Sequence, residues 1–211
     1  MTMLEGEAIW HDPWLMEVQA ASEYHNLMSL AVDDTESSHR WESATTGNGM
    51  DTTARDSDFI WYDPDKPPPS HEPLLHLAQT ALDHYMKVRP EAGEDRDFTA
   101  TEYSVLRYKP GQAYHATHSD AAPWAPHSAA RRHLTFVSYL NTPEEGGEIV
   151  FPTQDVTIAP TVGTMLIHPA GWTHRHNTLP VTLGMKYALV VFYHFTESGE
   201  NPTISEFITG A

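Results

Sequence analysis

The sequence of 211 residues contains no cysteine, few basic residues and no long apolar run. Without cysteine the chain forms no disulfide, thiolate zinc site, iron–sulfur cluster or cysteine nucleophile, and a chain of this length can bury a sizeable core without such links. No stretch approaches the roughly 20 apolar residues of a membrane span. Residues 1–10 lack the basic start of a signal peptide. We therefore expect a cytoplasmic protein of one domain that does not contact a membrane.

Basic side chains are scarce relative to acidic ones. The chain has 29 Asp and Glu against 12 Lys and Arg, which gives a net charge of −17. Such a field repels phosphate backbones, so we expect no nucleic-acid partner. The same charge argues against a nucleic-acid demethylase.

The first half of the chain has helical and loop character. The apolar pattern predicts a helix over Trp10–Ala31, and a second helix that begins near Pro73 and ends before Pro90. The polar stretch Asp33–Ser57 predicts a loop or lid. We interpret residues 1–98 as a helical support and lid region.

From Thr99 onward the sequence has β character. Short apolar runs separated by Gly, Pro and Asn turns predict a barrel or sandwich over residues 99–198. The predicted strands are Glu102–Tyr108, His133–Leu140, Glu148–Phe151, Thr164–Ile167 and Lys186–Phe195. The expected fold class is therefore mainly β with N-terminal helices (α+β), in a single domain that spans residues 1–211.

A candidate metal site begins with His118 and Asp120. Residues two apart in an extended strand project to the same face, so both side chains can reach one point. The segment after Gly171 offers His174 or His176 as a third ligand. Two histidines and one carboxylate leave coordination positions open, as in non-haem Fe(II) oxygenases. Histidine is also the usual zinc ligand, so these residue types alone leave a zinc enzyme open.

Motifs around these residues follow one another in the order known from an enzyme family. In sequence they are YKPGQAY (108–114), HSD (118–120), RHLTFVSYLN (132–141), GGEIVFP (146–152), IAPTVGTMLI (158–167), HNTLPV (176–181) and GMKY (184–187). Together they resemble the prolyl 4-hydroxylase-like Fe(II)/2-oxoglutarate-dependent oxygenases. The resemblance implies a double-stranded β-helix, the jelly-roll or cupin-like fold.

The resemblance also implies a ligand set and a co-substrate site. In the family, the distal histidine precedes a proline by four residues and a basic residue by ten, and His176 stands in this relation to Pro180 and Lys186. The implied metal ligands are His118, Asp120 and His176. The implied cofactors are Fe(II), 2-oxoglutarate and O2, with ascorbate as a supporting reductant.

By the same resemblance, Lys186 pairs with the C5 carboxylate of 2-oxoglutarate. Further hydrogen bonds to the co-substrate are expected from Tyr108, Tyr139 and Thr135. This lysine argues against a cupin-type dioxygenase that works without 2-oxoglutarate, since such an enzyme needs no cation for a dicarboxylate.

The resemblance implies hydroxylation of an unactivated C–H bond with release of succinate and CO2. We expect a small-molecule substrate, an amino acid or related metabolite. The alternatives are a prolyl hydroxylase that acts on a peptide or protein, and a jelly-roll metal-binding protein without turnover. The candidate substrate contacts are Arg131, His174, Trp124 and Arg55, with Trp41 and Trp61 as further aromatic candidates.

Overall fold

Strands dominate the computed structural model, which describes residues 3–38, 40–44, 51–93, 98–122 and 128–195. The strands are β1 Leu4–Trp10, β2 Met16–Ala20, β3 Glu42–Ser43, β4 Asp58–Tyr62, β5 Phe98–Tyr108, β6 Leu134–Tyr139, β7 Glu145–Gly146, β8 Ile149–Phe151, β9 Val156–Ile158, β10 Thr164–Pro169, β11 Asn177–Thr178, β12 Val181–Leu183 and β13 Lys186–Phe195. The α-helices are α1 His25–Ser37 and α2 Glu72–Val88, and short 3-10 helices lie at Ser22–Tyr24, Pro90–Ala92, Ser128–Arg131 and Trp172–His174. Among the described residues, no helix combines the length and apolar character that crossing a membrane requires.

Eight of these strands form one antiparallel sheet in the order β1-β2-β10-β6-β13-β5-β4-β3. A three-stranded sheet, β11-β8-β9, and the pair β12-β7 complete the described β-structure. Side chains of β8 and β9 pack against those of β6, β10 and β13 in one apolar cluster, so the small sheet faces the large one. This arrangement is the double-stranded β-helix, as predicted.

The large sheet separates two apolar clusters because successive side chains of a strand point to opposite faces. On β13, Leu189 and Val191 belong to the cluster that packs under the helices. Ala188 and Val190 belong to the cluster between the sheets. The buried face of α2, which packs on the first cluster, consists of Leu74, Leu77, Ala78, Ala81, Leu82 and Tyr85.

The helix predicted over Trp10–Ala31 is wrong for its first half. That part forms β2, in which Met16, Val18 and Ala20 are buried at every second position, and the helix α1 begins only at His25. The two-residue alternation fits a strand, and β2 pairs with the edge of β10, a partner far along the chain. Long-range pairing therefore overrode a local apolar pattern that also suited a helix.

The rest of the N-terminal region follows the predictions in part. The second helix is confirmed as α2, with Pro73 in its first turn. The predicted loop Asp33–Ser57 contains the end of α1 and the short β3, and its residues 39 and 45–50 lie outside the described residues. The aromatic run of β4 is a strand that pairs with β5. Residues 1–98 thus contribute strands to the large sheet as well as helices.

Candidate active site

The side chains of His118, Asp120 and His176 converge on one point. Their potential ligand atoms all lie within 4.8 Å of one another. The Nε2 atoms of His118 and His176 are 3.6 and 3.8 Å from Asp120 Oδ1. The structure thus brings together the three residues that the sequence motifs selected.

Backbone pairing holds the two histidines in place. His118 and His176 form an isolated antiparallel bridge, in which each N–H donates to the other's carbonyl at 2.9 Å. The Nδ1–H of His118 donates to the Ala116 carbonyl, and that of His176 donates to the His174 carbonyl, each at 3.1 Å. A carbonyl can only accept, so each Nδ1 carries the proton and each Nε2 lone pair is free to bind a cation.

Burial and neighbouring charges set the protonation states that a metal requires. Burial by itself raises the pKa of Asp120, but His176 and His118 hold that pKa well below its usual value. Burial lowers the pKa of His176 to about 3, against the opposing effect of Asp120. At neutral pH the site therefore presents a carboxylate and a neutral imidazole, the forms that bind a divalent ion.

A cavity of about 810 Å³ opens beside these three residues and is lined by the inner faces of β5, β6 and β13. Lys186 lies in its wall and is 1% exposed. Its Nζ donates to the Gly147 carbonyl at 2.8 Å and lies 4.1 Å from the centre of the Tyr108 ring. Burial lowers the pKa of Lys186 to about 7, against the opposing effect of Glu148.

The cavity wall has the chemistry that a dicarboxylate needs. The buried hydroxyl of Tyr139 has no hydrogen-bond partner among the described residues. Tyr108 and Tyr139 line the cavity together with Lys186. A bound carboxylate would supply a counter-charge for the lysine and an acceptor for an unsatisfied hydroxyl, both of which are costly to bury alone. The residues present therefore fit both Fe(II) and 2-oxoglutarate.

Thr135 lies between the metal site and the cavity. Thr135 lines the cavity as predicted, but its Oγ1 donates to Asp120 Oδ2 at 2.7 Å. Its single hydroxyl proton is therefore used to orient the carboxylate of the metal site. The expected hydrogen bond from Thr135 to the co-substrate stays a prediction.

Some of the residues predicted to contact the substrate line the cavity, and others do not. Arg55 and Trp61 line the cavity. Arg131 is exposed at the end of a 3-10 helix and does not line it, whereas the next residue, Arg132, does. Trp41 packs against Tyr187, a residue of the cluster under the helices.

His174 and Trp124 have different outcomes. His174 is 2% exposed, its Nε2 lies 3.0 Å from Asp12 Oδ2, and it does not line the cavity. The ring of His174 is therefore turned toward the N-terminal hairpin and not into the cavity. Trp124 lies outside the described residues, as do its neighbours 123–127.

Sequence reasoning missed a third histidine beside the metal site. His168 is fully buried, and its Nδ1–H donates to the Pro169 carbonyl at 2.9 Å. Its Nε2 has no hydrogen-bond partner among the described residues and lies 4.0 Å from Asp120 Oδ2. The alternation of β10 could have indicated this position. Leu166 belongs to the apolar cluster between the two sheets, and His168, two positions later, shares its face.

A jelly-roll that holds two histidines and one carboxylate at a single point defines a class of metal-dependent enzymes. Residues 103–194 match the family model of the 2OG-Fe(II) oxygenase superfamily. The match covers the strands from β5 to β13, the region whose motifs resemble those of the prolyl 4-hydroxylase-like oxygenases. The family match and the cluster of His118, Asp120 and His176 together indicate a 2-oxoglutarate-dependent iron dioxygenase, whose cofactors are Fe(II), 2-oxoglutarate and O2.

Solved structures support the fold assignment. A viral collagen prolyl hydroxylase from Paramecium bursaria Chlorella virus-1 is 21% identical with a TM-score of 0.63, over 87% of this chain and 97% of that one. A Trichoplax adhaerens prolyl hydroxylase, in complex with a hypoxia inducible factor peptide fragment, is 18% identical with a TM-score of 0.69, over 86% and 84%. A Pseudomonas putida prolyl-4-hydroxylase is 22% identical with a TM-score of 0.61, over 81% and 87%. No curated protein matches the chain.

Proposed function

We propose that this dioxygenase hydroxylates a prolyl residue within a peptide or protein, with His118, Asp120 and His176 as its iron ligands. The convergence of the three side chains within 4.8 Å is the observation that carries the ligand assignment. Their protonation states and the fixed orientation of both imidazoles support it. Thr135 holds Asp120 from the other carboxylate oxygen.

Lys186 is the residue that binds the distal carboxylate of 2-oxoglutarate. It is a buried cation in the wall of the same cavity, and the described residues give its Nζ only a neutral carbonyl as a close partner. The hydroxyl of Tyr139 can donate to the same carboxylate, and Tyr108 lies beneath the lysine. Charge-assisted bonds of this kind are roughly twice as strong as neutral ones.

The iron, with 2-oxoglutarate and O2, supplies the oxidising power that places one oxygen atom on the substrate carbon while 2-oxoglutarate becomes succinate and CO2. The chain contributes position and exclusion of water. The inner-face residues Val137, Ile149 and Ala188 line the cavity with apolar surface, which keeps water away from the reacting groups. Thr135 donates a hydrogen bond to Asp120 and so keeps this carboxylate ligand in one conformation.

A peptide substrate replaces the small molecule that the sequence led us to expect. The similar structures are described as prolyl hydroxylases, one of them with a peptide fragment bound. The cavity wall also includes Trp172 and Trp61, which are 80% and 44% exposed. Exposed aromatic rings at a cavity mouth suit a ligand that continues beyond the cavity onto the surface.

The first test examines the assignment of the iron ligands and needs no substrate. Under anaerobic conditions, addition of 2-oxoglutarate to the Fe(II) protein should produce a visible charge-transfer band in the wild type and in His174→Ala, but not in His176→Ala. A band that survives in His176→Ala would show that another residue completes the site.

The second test addresses the substrate. Proline-containing peptides and free amino acids are incubated with the Fe(II) protein, 2-oxoglutarate and O2, and mass spectrometry follows the gain of one oxygen atom together with succinate. We expect prolyl peptides to be hydroxylated with matching succinate release, and His176→Ala to yield neither. Turnover of free amino acids alone would overturn the peptide proposal and restore the small-molecule expectation.

A further inference from the structure

The cavity has a charge opposite to that of the protein. The chain carries 29 acidic and 12 basic residues. Among the described residues that line the cavity, the basic ones are Arg55, Arg132, Arg175 and Lys186, and the single acidic one is Asp120. A third of the basic residues therefore surrounds one opening, and among the described residues a single acidic side chain lines it.

The proposed chemistry accounts for part of this basic lining. Lys186 and Asp120 belong to the co-substrate and metal sites. Arg132 is neutralised by Glu102, whose Oε1 lies 2.7 Å from its Nη2, and it also donates to the Asp120 carbonyl at 3.1 Å. Neither site accounts for Arg55, which also donates to Ser57 Oγ at 3.2 Å, or for Arg175, and we refer to these two residues as the arginine pair.

Both members of the arginine pair lie beside the segment that carries His118. The Arg55 guanidinium is 4.8 Å from the centre of the Tyr114 ring, which stacks on the His118 ring at 3.5 Å. Arg175 is exposed and donates to the Thr117 carbonyl. Within the described residues, no carboxylate lies at ion-pair distance from Arg175. The two arginines thus place positive charge next to the iron ligands on the solvent side.

We infer that the arginine pair recognises a negatively charged group, so that the substrate is a peptide with Asp or Glu next to the residue that is hydroxylated. This inference rests on the proposed function, because it specifies the substrate of the same site. Guanidinium groups match carboxylates in geometry and can bind them through two parallel hydrogen bonds. The net charge of the protein opposes an anionic ligand only weakly, since physiological salt screens charges beyond about 8 Å.

Binding can be measured without turnover. Three fluorescein-labelled peptides share one proline-containing sequence and differ only in the residues that flank the proline, which are Glu, Gln or Lys. Their affinity for the protein loaded with Fe(II) and 2-oxoglutarate is measured by fluorescence anisotropy without O2. We expect the affinity to decrease from the Glu peptide to the Gln peptide to the Lys peptide, with a difference of about tenfold between the Glu and Gln peptides.

Variants identify the residues responsible. Replacing the pair in Arg55→Gln/Arg175→Gln should remove the difference between the Glu and Gln peptides, whereas Arg55→Lys/Arg175→Lys should preserve part of it. The matched control is Arg131→Gln, which removes an exposed arginine that does not line the cavity and should leave the ranking unchanged. The charge-transfer band shows for each variant that iron and 2-oxoglutarate still bind.

The outcomes separate this inference from the proposed function. Equal affinity for the three peptides, a preference for Lys, no binding of any of them, or a Glu preference that survives in the double Gln variant would each overturn the inference. Peptides that bind in the expected order but gain no oxygen would contradict prolyl hydroxylation and leave the charge preference standing. Hydroxylation of all three peptides with equal kcat/KM would support the proposed function and overturn the inference.

Discussion

The large sheet has one face that packs against the helices and one face that lines the cavity. Alternate residues of the same strands form these two faces. On β6, Leu134 and Phe136 lie in the cluster under the helices, whereas Thr135, Val137 and Tyr139 line the cavity. The first face is apolar throughout these positions. The second mixes apolar side chains with hydroxyl groups and, on β13, a buried lysine.

The comparison separates what stabilises the fold from what performs the chemistry. Burial of apolar surface on the helix-covered face favours folding. Burial of Lys186 and of the unsatisfied Tyr139 hydroxyl on the cavity face opposes folding until ligands arrive. Functional sites commonly reduce stability in this way. We therefore expect substitutions on the helix-covered face to reduce mainly stability, and substitutions on the cavity face to reduce mainly activity or ligand binding.

The largest effect on the cavity face is expected from Asp120→Ala. Loss of the carboxylate removes one of the three proposed iron ligands, so product formation should fall below detection. Because the side chain contributes to no apolar cluster, the midpoint of thermal unfolding should stay close to that of the wild type. Succinate release at the wild-type rate would show that Asp120 does not bind the metal.

The largest effect on the helix-covered face is expected from Phe136→Ala. The ring is fully buried, and removal of such a ring costs about 3–5 kcal/mol of stability. Urea unfolding should show this loss, while the folded protein retains the charge-transfer band. The matched control is Val137→Ala on the cavity face of the same strand, for which we expect a smaller loss of stability. Equal losses would contradict the division between the two faces.

Lys186→Met should weaken 2-oxoglutarate binding and stabilise the free protein. A hydrogen bond to a charged group contributes about 1.5–3 kcal/mol, which corresponds to roughly a 10- to 150-fold higher 2-oxoglutarate requirement. The iron requirement should change little. In the absence of ligand the melting temperature should rise, because a buried cation is replaced by an apolar side chain of similar volume. Equal weakening of iron and 2-oxoglutarate binding would indicate a purely structural lysine.

The pH dependence of 2-oxoglutarate binding should follow the same lysine. Its pKa in the folded protein is about 7, below the value of 10.5 for an exposed lysine, because burial disfavours the charged form. Between these values the unfolded chain binds more protons, so the lysine makes the free protein more stable as pH rises from 7 to 10. Binding of 2-oxoglutarate requires the charged form and should weaken as pH rises above 7, by at most about tenfold per pH unit.

The control for this pH dependence is Lys186→Arg. Arginine stays charged over the whole range, so the anaerobic 2-oxoglutarate titration should give nearly the same affinity at pH 7 and pH 8.5. The same slope in wild type and variant would assign the pH dependence to another group.

The smallest effect is expected from His168→Phe. The imidazole lies 4.0 Å from Asp120 Oδ2, next to the carboxylate but without a hydrogen bond to it. Residues that contact metal ligands commonly affect affinity by 10- to 100-fold, and at this distance we expect about tenfold or less in the iron requirement. The control is His115→Phe, which changes an exposed histidine near His118. An unchanged iron requirement in His168→Phe would leave the histidine as a packing residue only.

Local sequence patterns were enough to predict the strands β5, β6, β8, β10 and β13, the helix α2 and the group of potential ligands. These elements have a clear local pattern: a two-residue or three- and four-residue apolar period bounded by turn residues. His118 and Asp120 became candidates because residues two apart in an extended segment share a face, whereas His176 was chosen over His174 only through the family resemblance and its spacing to Pro180 and Lys186. Information of this kind lies within a few residues of each position.

Contacts between side chains that are far apart in the sequence could not be predicted and are known from the folded structure alone. The strand β2 exists because β10 offers it an edge, although its local pattern also suited a helix. His174 turns away from the cavity because Asp12, 162 residues earlier, accepts its hydrogen bond. Thr135 serves Asp120, and Arg132 lines the cavity in place of Arg131, because packing between distant strands sets these directions. Such contacts depend on how the sheets close around the cavity, which no short-range pattern in the sequence specifies.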